Sequence, residues 1–369
     1  MTRRGGLAVA ALVACVVLFS ASSRRLVAPD IPAQLADEAF WRLIRETSEP
    51  DGYFDSDNLI SNEDTFETVI PELKRVVPPG RVYLGVGPDQ NFTYIAAIEP
   101  RLAFILDVRR GNLHVHLMYK ALFELSVNRA EFLSRLFARR VPQDADSAWS
   151  AGQMLSAFAA MPVDRQLRDR SVDAIADRLQ SHHQFSLAPQ DLPGIARVYD
   201  QFVAGGPQLR FVSSRPGNWY PSFQDIQTST DADGTAWGYL SSEARFQRVK
   251  ALQEANAIIP IVGNFAGPSA LKGIGRYLAV HGATVGAFYT SNVERYLFQD
   301  RLWPAFVDNV AALPLTEAST FIRSCFDTCS SFGQSRAVSL LDSMPKLLQD
   351  ARAGRVATYG DVLGRSFRR

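Results

Sequence analysis

Two runs, Arg81–Gly87 "RVYLGVG" and Arg101–Asp107 "RLAFILD", stay apolar residue after residue, and the span between them has room for one short helix. Uninterrupted rather than alternating hydrophobicity belongs to strands covered on both faces of a sheet. Strands joined through a helix pair in parallel, with a right-handed crossover. The same alternation resumes downstream, as strand "AIIPIVGN", helix "SALKGIGRYLAVHG", strand "TVGAFYTS", helix "NVERYLFQDRLWPAFVDNVAAL" and strand "STFIRSCF". "LRFVSS" (209–214) reads as a further strand ahead of these, and the stretch 113–208 as a helical insertion, with Asn128 and Glu131 spaced as a capping box. The predicted class is α/β, with an open, doubly wound, mostly parallel sheet.

The expected segments are 1–25 as a signal peptide or membrane anchor, 26–80 as a helical extension, 81–112 and 209–330 as the two halves of the sheet domain, and 331–369 as a C-terminal helix and basic tail. In the first of these, arginine pairs flank an apolar stretch, and the 17 residues from Leu7 to Ser23 lie at the short edge of what crosses a bilayer as a helix. The expected outcome is a protein held at the membrane by an uncleaved anchor. The alternatives are a cleaved signal with export to the periplasm or cell surface, and a lipoprotein modified at Cys15 in "LVAC". The chain carries a net charge of +1; without the four arginines of this segment, 35 of its 39 basic residues face 38 acids. A near-neutral body has no footprint for nucleic acid.

Cys325 and Cys329 share a face if helical, and are expected as partly buried free thiols rather than a disulfide or half a metal site. His114 and His116 lack a third ligand, so no metal is expected, and His182 and His183 are expected to be exposed. Asn62 and Glu63, in "SNEDTF", read as a helix cap or as part of a loop over a cleft. Trp219, Tyr220, Phe223, Trp237 and Tyr239 sit in a long Pro/Gly/Asp-rich stretch, either anchoring it or stacking on a substrate. No G-x-S-x-G elbow is present.

The densest chemical signal is "GVGPDQN". Gly85 and Gly87 let a backbone turn sharply and approach a ligand, with the next helix opening at Pro88 or Asp89. Asp107 ends the second strand twenty residues past Gly87, the spacing at which an acid meets the ribose hydroxyls of an adenosine.

These residues resemble the class I S-adenosylmethionine-dependent methyltransferases, whose Rossmann-like sheet carries a Gly-x-Gly-x-Gly turn after strand one and an acid at the end of strand two. Gly85, Gly87 and Asp107 match; Tyr83 stands in place of the usual acid before the glycines, and Asp89 in place of the third glycine. "VGNFAGP", counted as following the fourth strand, is similar in place to the Asn/Asp-Pro-Pro-aromatic motif without its prolines. The resemblance implies S-adenosylmethionine as cofactor, held by Gly85, Gly87, Asp89, Asn91 and Asp107, with Asn264, Phe265 and Asn292 facing an acceptor of unknown identity. "GVGPDQNF" and "SNVE" are also similar to an uncharacterised bacterial family that brings no known activity. Export would separate the chain from that cofactor, which is kept inside the cell, and would favour a non-catalytic α/β protein binding a small ligand or partner at the envelope. A hydrolase using Asp89 or Glu294 is the remaining alternative.

Overall fold

The computed structural model describes residues 30–212, 220–326 and 337–366. The membrane or signal segment, Cys15, Cys329 and Trp219 lie outside them. Six strands, β1 (Val82–Val86), β2 (Leu102–Asp107), β3 (Ile258–Val262), β4 (Val285–Ser291), β5 (Thr320–Phe326) and β6 (Ala337–Ser343), form one sheet in the order β3-β2-β1-β4-β5-β6. All neighbours are parallel except β5 and β6. The chain is therefore a mixed α/β protein with a mostly parallel sheet. Every residue of β2 and β3 is buried, which is what their unbroken apolar runs require.

The order reverses between β1 and β4: the chain builds β1, β2, β3 in one direction, then returns to the other side of β1 for β4. Loops diverge there, leaving a crevice outside the carboxyl ends of the strands. Helices Gln90–Ile98 and Arg110–Leu125 follow β1 and β2, and among the described residues no strand interrupts the chain again until β3. The expected strand at 209–214 is not formed in its described part; Arg210 makes a single bridge to Ser222. The reason lies in burial: Val212 is 72% exposed, and the place beside β2 belongs to Ile258–Val262. "AIIPIVGN" is thus the third strand of the sheet, not the fourth.

The C-terminal stretch holds β6 as well as the helices Met344–Arg352 and Tyr359–Ser366, where a helix and tail were expected. Cys325 lies on β5 rather than on a helix and is disulfide-bonded, with its partner outside the described residues, so it is not the free thiol expected. Among the described residues no helix is long and apolar enough to cross a membrane.

Candidate functional site

The β1 turn is built by Asn91. Its amide donates to the carbonyls of Val86 (2.9 Å) and Pro88 (2.7 Å), and its oxygen accepts from the Tyr83 hydroxyl at 2.8 Å. A Cβ on Gly85 would overlap that Asn91 oxygen, so Gly85 makes room for the staple rather than for a ligand. Gly87 differs. Its φ is +79°, the nearest atom to a Cβ there would be Gln90 Nε2 at 3.8 Å, and it lines a cavity. Its carbonyl is 2.9 Å from His116 Nε2, and burial pushes that imidazole down to about 4.

Asp89 does not face this cavity. It is fully buried, and one carboxylate oxygen accepts from Gln227 Nε2 (2.9 Å) and the Tyr239 hydroxyl (3.0 Å). Desolvation pushes it up to about 7 against those bonds. Asp89 therefore fastens the segment around Gln227–Tyr239 to the sheet. Phe223 and Tyr239 are buried there too, as anchors. Asn91, spent on the turn, also makes no side of the cavity, and the helix begins at Gln90, one residue after Asp89 and two after Pro88, the two starts expected.

The cavity, ≈ 210 Å³, opens at the switch between β1 and β4. Gly87, Pro88 and Gln90 contribute from the β1 turn, Asp107 and Val108 from β2, Gly263, Asn264 and Phe265 from β3, and Tyr289, Ser291 and Asn292 from β4. Of the eight residues expected in the site, Gly87, Asp107, Asn264, Phe265 and Asn292 converge on it; Gly85, Asp89 and Asn91 do not. Asp107 is only 5% exposed and grips Arg109: Oδ1 accepts from its backbone N–H (2.9 Å) and Nε (3.0 Å), Oδ2 from Nη2 (2.9 Å). A carboxylate has about four acceptor positions, so Oδ2 keeps capacity for a ligand.

Asn264 follows β3 and sits beside the tip of β2, where Gly263 donates to the Asp107 carbonyl at 2.8 Å. The end of β4, the strand next to β1, is formed by Ser291, with Asn292 directly after it. Phe265 packs on Phe288 with ring centroids 5.0 Å apart, so its edge toward the cavity belongs to a core ring. Glu294 points the other way, buried against Arg323 at 2.8 Å, with Arg323 also bonded to Asp342. Neither Asp89 nor Glu294 is thus placed for hydrolysis.

Two acids come from the N-terminal extension, which crosses the carboxyl edge of the sheet: Glu49, which was not expected here, and Glu63, which with Asn62 lines the cavity, in keeping with the reading of that stretch as a loop over a cleft. Glu49 accepts from the backbone N–H groups of Asn264 (3.0 Å), Ser269 (2.8 Å) and Ala270 (2.9 Å), which fills the N-terminus of the helix Ala270–Val280 with the chain's own carboxylate. Glu63 lies in the cavity wall, 1% exposed, and takes the hydroxyls of Tyr289 (2.5 Å), Ser291 (2.6 Å) and Ser324. It caps no helix: the short helical turn that follows begins at Phe66, and its N-cap position is Thr65. Burial drives Glu63 above the ordinary carboxylate range, and the hydroxyls only partly offset this. The "SNED" string marked this stretch as polar loop; nothing local to it signals that Glu63 reaches three strand-end hydroxyls.

His114 and His183 are held by carboxylates within the fold. His114 meets Asp191 at 2.9 Å, and His183, expected exposed, is buried between Asp37 (2.8 Å) and Glu124 (2.6 Å). Among the described residues no group of three or more His, Cys, Asp or Glu is placed to hold a metal ion.

The fold places the protein in the mixed α/β class, with a mostly parallel sheet and a cavity at its switch point. Within that class, the chain belongs to the family described as "Domain of unknown function (DUF7790)", whose model matches residues 58–149 and 217–344. Both Glu63 and the β4 end fall inside the matched segments. No curated protein matches the chain.

Proposed function

We propose that the switch-point cavity binds S-adenosylmethionine and that the protein is a methyltransferase-like enzyme on a Rossmann-like sheet. The observation that carries this reading is the convergence of Gly87, Asp107 and Asn264 on one cavity between β1 and β3, with Ser291 and Asn292 on its β4 side. The strand order β3-β2-β1-β4-β5 supports it, as does the open space over Gly87. So does Gln90, a cavity residue whose amide oxygen is buried with no partner among the described residues.

The residues fit the group in the following roles. Asp107 accepts a ribose hydroxyl through Oδ2, while Arg109 holds the carboxylate in place. Gly87 lets backbone approach the amino-acid portion, and Asn264 faces the nucleoside side, a change from the acceptor-facing role its sequence position implied. Asn292, whose side chain does not cap its helix, faces the acceptor. The cofactor supplies an electrophilic methyl group; the chain's contribution is to align a nucleophile with it and exclude water. Calorimetry of the full chain with S-adenosylmethionine tests the reading. Heat with saturable binding supports it, and absence of both heat and thermal shift at millimolar ligand on folded protein removes it.

The disulfide at Cys325 favours a second reading, because such bonds persist in oxidising compartments. Taken with a membrane or export segment at 1–25, it supports an envelope-located, non-catalytic α/β protein that binds a small ligand in the same cavity. A reporter fused to the C-terminus separates the two by the side of the membrane on which it lies.

A further inference from the structure

Ser291 ends β4 with φ +51°, after a break in register between Tyr289 and Ser291. A left-handed serine costs about 1 kcal/mol or more and persists only where its surroundings over-determine it. Here the surroundings are Glu63. The carboxylate holds the Ser291 hydroxyl at 2.6 Å, while the serine stays half-exposed on the cavity wall. Gln90 Nε2 donates to the Tyr289 oxygen at 3.0 Å, which leaves the Tyr289 proton directed at the same Glu63 oxygen. Among the described residues Glu63 has no cationic partner, in contrast with Glu294, which is neutralised by Arg323. A desolvated carboxylate held only by hydroxyls is a stronger base than one in water or in an ion pair.

We propose that Glu63 and Ser291 are an acid–base pair in the cavity wall, in which Glu63 takes the proton of the Ser291 hydroxyl as Ser291 takes one from bound substrate. The substrate is then a protic nucleophile, an alcohol or an amine: its O–H or N–H bond breaks, the proton passes to Ser291 Oγ, the original serine proton passes to Glu63, and the electron pair stays on the substrate atom. That the substrate is a methyl acceptor rests on the methyl-transfer reading; the pair rests on the geometry alone.

An alkyl fluorophosphonate tests the pair on the full chain without any methyl donor. Ser291 Oγ bonds to phosphorus, the P–F bond breaks with its electrons leaving on fluoride, and the serine proton goes to Glu63. Peptide mass mapping is expected to find the adduct on Ser291, absent in S291A and retained in S324A. In E63Q the labelling rate is expected to fall at least about tenfold, the low side of what a positioned base supplies. The wild-type rate is expected to rise with pH through an ionisation above the ordinary carboxylate range. The other titratable groups facing Glu63 are Asp64 and the phenols of Tyr83, Tyr94, Tyr289 and Tyr359, and the phenols are all raised by burial and stay neutral. No adduct on Ser291 in folded protein, an unchanged rate in E63Q, or a flat pH profile would overturn the pair; the profile decides alone if E63Q does not fold. S-adenosylmethionine calorimetry run in parallel separates the two claims. Binding without an adduct sinks the pair and leaves the cofactor reading, whereas an adduct without binding sinks the cofactor reading and leaves the pair.

Discussion

Asp107 holds Arg109 and, in the proposed reading, also a ligand, and the first role decides how it can be probed. Its carboxylate holds Arg109, itself only 9% exposed, so Asp107→Ala strands a nearly buried guanidinium. Removing one partner of a buried pair costs about 3–5 kcal/mol, and the partial exposure here places the expected loss toward about 3 kcal/mol in urea unfolding. An unchanged midpoint would mean that the pair is solvated. The substitution therefore changes stability as well as any ligand contact, and is not a clean test of ligand binding. Asp89 and Glu67 make a second residue-scale prediction. Burial pushes both up to about 7, from 3.8 and 4.5. A carboxyl raised in the folded state stabilises the fold fully below its unfolded value and loses that contribution as pH climbs to the folded one. Wild-type stability relative to D89N is expected to fall between about pH 4 and pH 7, by at most about 1.4 kcal/mol per pH unit for the one group removed. Thermal unfolding of both proteins across that range checks it; parallel curves would place Asp89 in water.

At the level of elements, the β1 turn distinguishes its two glycines. Gly85→Ala drives a methyl into the Asn91 staple and is expected to cost about 1–3 kcal/mol, whereas Gly87→Ala has space for the methyl and costs about 1 kcal/mol through its positive φ. Denaturant unfolding of the two variants gives the order, and the reverse order would contradict the turn. The strands that were legible, β1 to β5, are those whose sequence is apolar enough for a sheet's interior or sits in clear alternation with helices. The apolar start of 209–214 misled because hydrophobicity alone does not say which run wins the place beside β2. β6 escaped notice because its polar residues are satisfied by distant partners: Asp342, 2% exposed, belongs to the Arg323 network, and no local pattern records that.

Over the whole molecule, the cavity depends on the N-terminal extension lying across the carboxyl edge of the sheet. Glu49 secures it to the loop after β3, Gly52 donates to the Val108 carbonyl at 2.8 Å, and Glu63 closes on the ends of β4 and β5. Glu49→Ala removes the partner of three backbone amides and is expected to cost about 1–2 kcal/mol, the range of a strong helix cap, read as a lowered unfolding midpoint. The sheet half of the site was visible in the sequence because a glycine turn and a strand-end acid are local signals with fixed spacing. Of the covering half only a loop over a cleft at Asn62 and Glu63 was legible; its contacts, such as Glu49 with Asn264 and Glu63 with Ser291, join residues more than two hundred positions apart and leave no periodicity to read. Asn264 changed roles for the same reason: its place in the sheet depended on how many strands precede it. The proposed reading requires that the cavity receive an adenosine-type ligand. A crystal structure of the full chain with S-adenosylhomocysteine decides this. The expected result has the ribose against Asp107 and the amino-acid end over Gly87; a ligand bound elsewhere, or no ligand bound at saturating concentration, would overturn it.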